Sequence, residues 1–143
     1  LPQLLIIGGL RIMIKHLYCS SVTVLLILIM AFSEFHADRI RNNLRSYRFK
    51  EKKMMGGLIF MINDAMCIGL DFDKKSNEDR LMVRVGKINY ENLIHQRGST
   101  KMDFTGKVMR GFLFIEQSGF DLDKDLEFWI QKAIEFNSIL IKV

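Results

Sequence analysis

Charged and polar side chains surround a glycine-containing turn at residues 105–107, and one more cation interrupts an apolar stretch at residues 81–85. Guanidinium groups and turn amides are hydrogen-bond donors that suit anionic groups. We therefore predict an anion-binding or partner-binding patch that consists of Arg84, Asp103, Thr105, Lys107 and Arg110. In an alternative interpretation, Asp103 accepts hydrogen bonds from the turn amides or pairs with Arg84, and the glycines serve only backbone geometry.

A run of cations between residues 39 and 53 is the second candidate, because clustered Lys and Arg side chains can neutralise phosphates. From this run we predict a nucleic-acid contact through Arg41, Arg45, Arg48, Lys52 and Lys53. The alternative is a solvated helix face, since acidic residues precede Arg41 and Arg45 on the same predicted face. No aromatic residues interleave in a pattern that suggests base stacking, so we expect at most weak, salt-sensitive contact with DNA.

Short sequence segments that resemble enzyme or metal-binding motifs lack residues that those motifs require at fixed spacings. The segment 105–107 lacks the earlier glycine and the following hydroxyl of a phosphate-binding loop, and the acidic segment 121–125 lacks the glycine of a calcium loop. The histidines lie far from one another and from Cys67, so neither a metal cluster nor a Cys-His dyad is indicated. We predict no catalytic residue, no metal and no cofactor. An enzyme or small-ligand binder would instead need Arg84, Asp103 and Arg110 to converge in a concave pocket.

The composition predicts one folded domain in a reducing compartment. A chain of 143 residues with 49% apolar residues and one proline can build a core without metals or disulfides. The two cysteines, Cys19 and Cys67, lie far apart, which does not suggest a disulfide framework. The net charge of +5 includes Arg11 and Lys15, and the remaining excess is too small to imply nucleic acid by itself.

The apolar N-terminal segment, residues 1–30, is distinct from the domain that we predict over residues 31–143. Residues 17–33 carry no charge, and their length is at the lower edge of the roughly 17 to 25 residues that a membrane helix needs. The segment could reflect a misplaced start, with translation beginning at Met30 and a cytoplasmic product. It could also be an inner-membrane anchor through residues 17–33, a signal peptide or a buried helix. We expect a cytoplasmic protein.

The first half of the domain reads as one helix followed by three strands. A helical stripe of Ala37, Ile40, Leu44 and Tyr47 predicts a helix over residues 34–48. Two apolar runs, 54–62 and 65–72, flank residues that tolerate left-handed turn geometry, so they predict a hairpin. Alternation over residues 81–85 predicts a third strand that ends at Gly86.

The second half reads as a short helix, a second hairpin and a long helix. The short helix contains Tyr90, has Asn89 as its cap and stops at Gly98. Strands at 102–104 and 111–116 flank the turn at 105–107, with Phe112 and Phe114 on one face. A stripe from Leu122 to Leu140 predicts the last helix. The order α-β-β-β-α-β-β-α indicates a two-layer α+β fold, an antiparallel sheet with helices on one or both faces.

Several segments together resemble one bacterial family, the TfoX (Sxy) N-terminal domain, which is named for competence regulators. They are Lys53-Met54-Met55-Gly56-Gly57-Leu58, Leu81-Met82-Val83-Arg84-Val85-Gly86, Met102-Asp103-Phe104-Thr105-Gly106, Met109-Arg110-Gly111-Phe112 and Trp129. Met55 stands where the family usually has Phe, and Val108 where it usually has Pro.

The resemblance implies a fold like that of type III secretion chaperones, in a stand-alone single-domain form. It also implies a non-enzymatic regulatory module, similar to competence and transcription regulators, with a protein partner. A membrane-tethered form of the same domain is the alternative if residues 1–30 are part of the natural protein.

Overall fold

Three α-helices and two antiparallel sheets make up residues 3–7, 10–14, 32–54, 56–104 and 106–141, which are the residues that the computed structural model describes. The strands are β1 (Gln3–Ile7), β2 (Leu10–Ile14), β3 (Phe49–Met54), β4 (Gly57–Ile62), β5 (Ala65–Asp73), β6 (Glu78–Arg84), β7 (Ser99–Phe104) and β8 (Lys107–Glu116). The helices are α1 (Glu34–Asn43), α2 (Gly86–Leu93) and α3 (Asp123–Ile141), and a 3-10 turn spans Gln117–Gly119.

The N-terminal segment contributes a small sheet of its own, in which β1 pairs antiparallel with β2. The predicted uncharged segment lies outside the described residues from position 17 to 31, as do His16 and Cys19. Among the residues that are described, no helix is both long enough and apolar enough to cross a membrane.

A six-stranded antiparallel sheet with the order β3-β4-β5-β6-β8-β7 forms the body of the domain. This arrangement, with three helices, confirms the predicted α+β class. The last hairpin joins the sheet through its second strand, because β8 pairs with β6 on one side and with β7 on the other. Strands β3 and β7 are therefore the two edges.

The described helices pack on one face of this sheet and enclose the main core. Ile40 of α1, Tyr90 of α2 and Trp129 of α3 are buried against strand residues such as Phe60. The opposite face carries a second cluster to which these helices contribute no residue. Its buried members are Ile59, Met82, Met102 and Phe114, with Met61, Met66 and Phe112 packed against them. Phe112 and Phe114 thus share one face, as predicted.

The β4–β5 hairpin confirms the turn that was predicted at Asn63 and Asp64. Both residues have positive φ, 55° and 61°, which is the left-handed geometry of a two-residue hairpin turn. One residue farther along β5, the pairing shifts: Met61 pairs with Met66 and Phe60 with Ile68. Cys67 is therefore the extra residue of a β-bulge, and it is buried in the main core.

One strand is missing from the predicted order, because β3 precedes β4 and gives α-β-β-β-β-α-β-β-α after residue 33. The run 54–62 is not one strand: Met54 ends β3, and Gly57 begins β4 after a turn at Gly56. Strand β3 shows no alternation of apolar and polar residues, since only Phe49 is partly buried and the rest are exposed. Lysine-rich edge strands of this kind are formed by backbone pairing and resist further strand addition.

Helices α1 and α2 have boundaries that differ from the prediction. Helix α1 ends at Asn43 rather than near residue 48, so Tyr47 leaves the buried stripe and is 38% exposed. Helix α2 begins at Gly86, which makes Asn89 an interior residue rather than the cap, and it ends at Leu93, before the predicted stop at Gly98.

Candidate partner-binding surface and basic cleft

The end of the β7–β8 hairpin extends past its neighbour in the sheet. Pairing between β6 and β8 begins at Phe112, whereas Lys107 and Val108 pair only with β7 in the described structure. Residues Lys107–Arg110, which we call the hairpin tip, are all exposed. Val108 is 47% exposed and Met109 37%. The tip therefore places two neighbouring apolar side chains in solvent.

Gly111 marks the point where this hairpin leaves the sheet. Its φ is +94°, and a Cβ there would lie 3.3 Å from the backbone of Gly86 and Lys87 at the start of α2. The Gly111 carbonyl also accepts a hydrogen bond of 2.8 Å from the backbone N–H of Val85. Close backbone contact with α2 explains why glycine occupies this position. The same contact, with the hydrogen bond from Val85, fixes the base of the tip.

The residues of the predicted anion-binding patch do not form one hydrogen-bonded group. The Arg84 guanidinium lies 5.3 Å from the ring centre of Phe112 and 5.4 Å from that of Phe136, a cation–π arrangement. Arg110 pairs with Glu91 of α2 at 2.8 Å. Asp103 and Lys107 are exposed, and within the described residues no ion pair joins Asp103 to Arg84. Thr105 lies outside that part of the chain.

The cationic run divides into paired and unpaired residues. Arg41 bonds to Glu34 at 2.9 Å, Asp38 at 2.7 Å and Glu51 at 2.7 Å, so its charge is compensated within the protein. These hydrogen bonds raise the pKa of Arg41, and the bond from Arg41 lowers the pKa of Glu51. Arg39 likewise bonds to Asp123 at 3.2 Å.

The other cations of the run remain exposed. Arg45 bonds only to the side-chain oxygen of Asn42, at 3.3 Å, and in the described structure no ion pair involves Arg48, Lys52 or Lys53. Of the residues predicted to contact nucleic acid, Arg41 is therefore the one whose charge is compensated by ion pairs in the described structure.

An open cleft of about 430 Å³ lies where this cationic run enters the sheet. Its walls come from the α1–β3 loop, the start of β3, and the β4–β5 turn. The lining residues are Tyr47, Arg48, Phe49, Lys50, Met61, Asn63 and Asp64. The helical spacing of residues 37–47 did not indicate this cleft, because it places Tyr47 on a buried helix face. The sequence feature that could have indicated the cleft is the aromatic residue Tyr47, which lies close to Arg48 and Lys50.

The buried titratable groups lie apart from these two surfaces. Burial lowers the pKa of His36 to about 4, with Arg39 acting in the same direction, and the imidazole packs against the rings of Phe35 and Phe120. Burial raises the pKa of the Cys67 thiol to about 12. These groups contribute to packing, and neither reaches the hairpin tip or the cleft lining.

The family model described as the TfoX N-terminal domain matches residues 45–137. That span begins after α1 and includes β3–β8, α2 and most of α3. The chain belongs to this family. No curated protein and no solved structure matches the chain. In this TfoX N-terminal domain, the segments that carry the resemblance include both the base of the hairpin tip and the start of α2.

Proposed function

We propose that this TfoX N-terminal domain is a non-enzymatic, cytoplasmic regulatory module that binds a protein partner through the hairpin tip. The observation that carries the proposal is the projection of Val108 and Met109 beyond the sheet, both exposed and adjacent in sequence. Exposed apolar side chains grouped on a projecting element are typical of interaction sites.

The chemistry of the tip indicates the kind of partner. The tip combines two apolar side chains, Val108 and Met109, with two cations, Lys107 and Arg110, and all four residues are exposed. It thus offers apolar groups beside cations. The ion pair of Arg110 with Glu91 is largely exposed on both members, and such pairs are weak enough to exchange partners. The complementary surface is an apolar groove flanked by carboxylates.

The partner contact is tested with a double substitution, Val108→Ser with Met109→Ser, and a matched control, Leu122→Ser. Leu122 is 54% exposed and lies before α3, so its loss removes a similar apolar surface elsewhere. Proteins captured from the native host by wild-type protein should be lost with the double variant, by about tenfold or more, and kept with the control. Recovery of the same proteins by all three would contradict the tip as the contact.

The regulatory part of the proposal has a separate test. A chromosomal strain with the double substitution should reproduce the transcript changes of a strain that lacks the gene, and the Leu122→Ser strain should resemble wild type. Deletion without any transcript change would refute a regulatory role. Fractionation of the native protein tests the cytoplasmic location, since a membrane-tethered form would remain with the membranes.

A further inference from the structure

The cleft beside β3 has a rigid wall opposite an accessible aromatic ring. Asn63 donates a hydrogen bond of 3.1 Å to the side chain of Asn137 in α3, and Asn137 in turn donates one of 2.9 Å to the carbonyl of Ile62. Asn137 is buried. These two bonds attach the β4–β5 turn to the helix layer. Tyr47, in the facing loop, is held by a backbone hydrogen bond of 2.9 Å to the carbonyl of Leu44. A wall fixed in advance loses little entropy on binding.

The charges of the cleft favour an anion. Arg48 and Lys50 contribute two cations to the lining, against the single carboxylate of Asp64. Lys50 and Asp64 are 3.5 Å apart and both are largely exposed, so their ion pair contributes little and leaves the ammonium available.

A third cation, Lys52, extends the positively charged side of the cleft along β3. Phe49 packs against the main core, and Glu51 bonds to Arg41 of α1, so these two residues face the helices. Lys50 and Lys52 therefore face the opposite side of the sheet, where Lys50 pairs with Met61. Two residues along a strand are about 7 Å apart. The cations thus form a short linear track rather than a single point.

The aromatic ring and the apolar floor distinguish this cleft from a simple phosphate site. Tyr47 is 38% exposed, and Met61 supplies a flexible apolar surface in the same lining. A half-exposed aromatic ring next to Arg and Lys is the arrangement on which an unpaired base can stack while its phosphates bind the cations. Bases in a duplex are stacked on one another and do not offer that face.

We propose that this cleft binds single-stranded nucleic acid, with a base stacked on Tyr47 and the adjoining phosphates bound by Arg48, Lys50 and Lys52. The ligand class is a chain of nucleotides rather than a duplex, because the aromatic ring requires an unstacked base and the cations are arranged in line. The site shares no residue with the hairpin tip.

The test uses the full chain and a fluorescein-labelled oligothymidylate of 12 nucleotides, with binding followed by anisotropy between low and moderate salt. Three phosphate contacts predict a slope of about −2 for the logarithm of affinity against the logarithm of salt concentration, since each contact on a single strand contributes about −0.7. Lys50→Gln should reduce that slope by about 0.7, whereas Lys74→Gln, an equal charge change in an exposed loop, should leave it unchanged.

The aromatic contact is tested with Tyr47→Ala and Tyr47→Phe. Loss of one stacked base predicts an affinity at least about fivefold weaker for the alanine variant, with little change for phenylalanine. Circular dichroism confirms that the variants are folded. Equal affinity of wild type and Tyr47→Ala would overturn the proposal, as would equal affinity for the strand and its duplex, or for the strand and thymidine monophosphate.

Protein binding at the hairpin tip and nucleic-acid binding in the cleft can be refuted independently of each other. The double substitution Val108→Ser with Met109→Ser should leave oligonucleotide affinity unchanged, and Tyr47→Ala should leave protein capture by the hairpin tip unchanged. A loss of oligonucleotide affinity in the folded tip variant would overturn the assignment of nucleic acid to the cleft.

Discussion

Replacing Asp79 with asparagine should stabilise the protein at neutral and alkaline pH. Asp79 lies in β6 and is only 4% exposed. Its Oδ2 accepts a hydrogen bond of 2.9 Å from the backbone N–H of Ser33, the N-cap residue of α1. Burial, together with the nearby carboxylate of Asp71, raises the pKa of Asp79 from 3.8 to about 6 despite that hydrogen bond. The ionised carboxylate is therefore held in a place that favours the neutral acid.

The size of the effect follows from the linkage between protonation and folding. The stability that protonated Asp79 provides is fully present below pH 3.8 and is lost as the pH rises through about 6. That pKa difference corresponds to at most about 3 kcal/mol of folding stability, and relaxation of the protein around the buried charge reduces it to about 2 kcal/mol. Asparagine keeps an acceptor for the Ser33 N–H and carries no charge. Asp79→Asn should thus be about 2 kcal/mol more stable than wild type at pH 8, and less than about 1 kcal/mol more stable at pH 4.5.

Denaturant unfolding, followed by the fluorescence of the single tryptophan, measures this difference directly. Trp129 is buried in the main core, so its emission reports loss of tertiary packing. Asp79→Ala is the control: it also lacks the charge, but it removes the acceptor and leaves the Ser33 N–H unsatisfied, so it should be about 1–3 kcal/mol less stable than Asp79→Asn at both pH values. A lower stability of Asp79→Asn at pH 8, or a difference that does not change with pH, would refute the reasoning.

Two further predictions concern the core. Gly86→Ala should destabilise by about 3 kcal/mol in denaturant unfolding, because φ is +81° and the new Cβ would overlap the Phe136 ring. Gly106→Ala, with a similar φ but open space, should cost only about 1 kcal/mol, and equal losses would contradict the steric argument. In a Cys19→Ser background, Cys67 should react with a thiol reagent at pH 8 only as fast as the protein unfolds, since burial raises its pKa to about 12; rapid native-state labelling would contradict this.

Sequence patterns that extend over only a few residues were sufficient to predict several elements of the structure. Ala37, Ile40 and Leu44 recur at helical spacing and are fully buried, the first two in α1 and Leu44 directly after it. Asn63 and Asp64 are turn residues by their own conformational preferences, and they form the β4–β5 turn. These features depend on interactions between near neighbours, which the order of residues specifies directly.

Other features depend on contacts between distant residues. The lysine-rich segment Phe49–Met54 has no strand pattern, and it becomes β3 because β4 offers backbone groups for pairing. The end of α1 before Tyr47 leaves that ring in the cleft wall, opposite a turn that Asn137 holds from 74 positions away.

The sequence by itself therefore determined the α+β class and both predicted hairpins, because periodicity and turn chemistry are local, and the resemblance of several segments indicated the family. Acidic residues on the same helix face already indicated that Arg41 is partly compensated, but the tertiary structure alone decided its pairing with Glu51 and the direction in which the other cations face. Arg41 is neutralised by Glu51, ten residues away on another element, whereas Lys50 and Lys52 point away from the helices. Charge compensation depends on distances in space, and those distances are set only when strands and helices pack together.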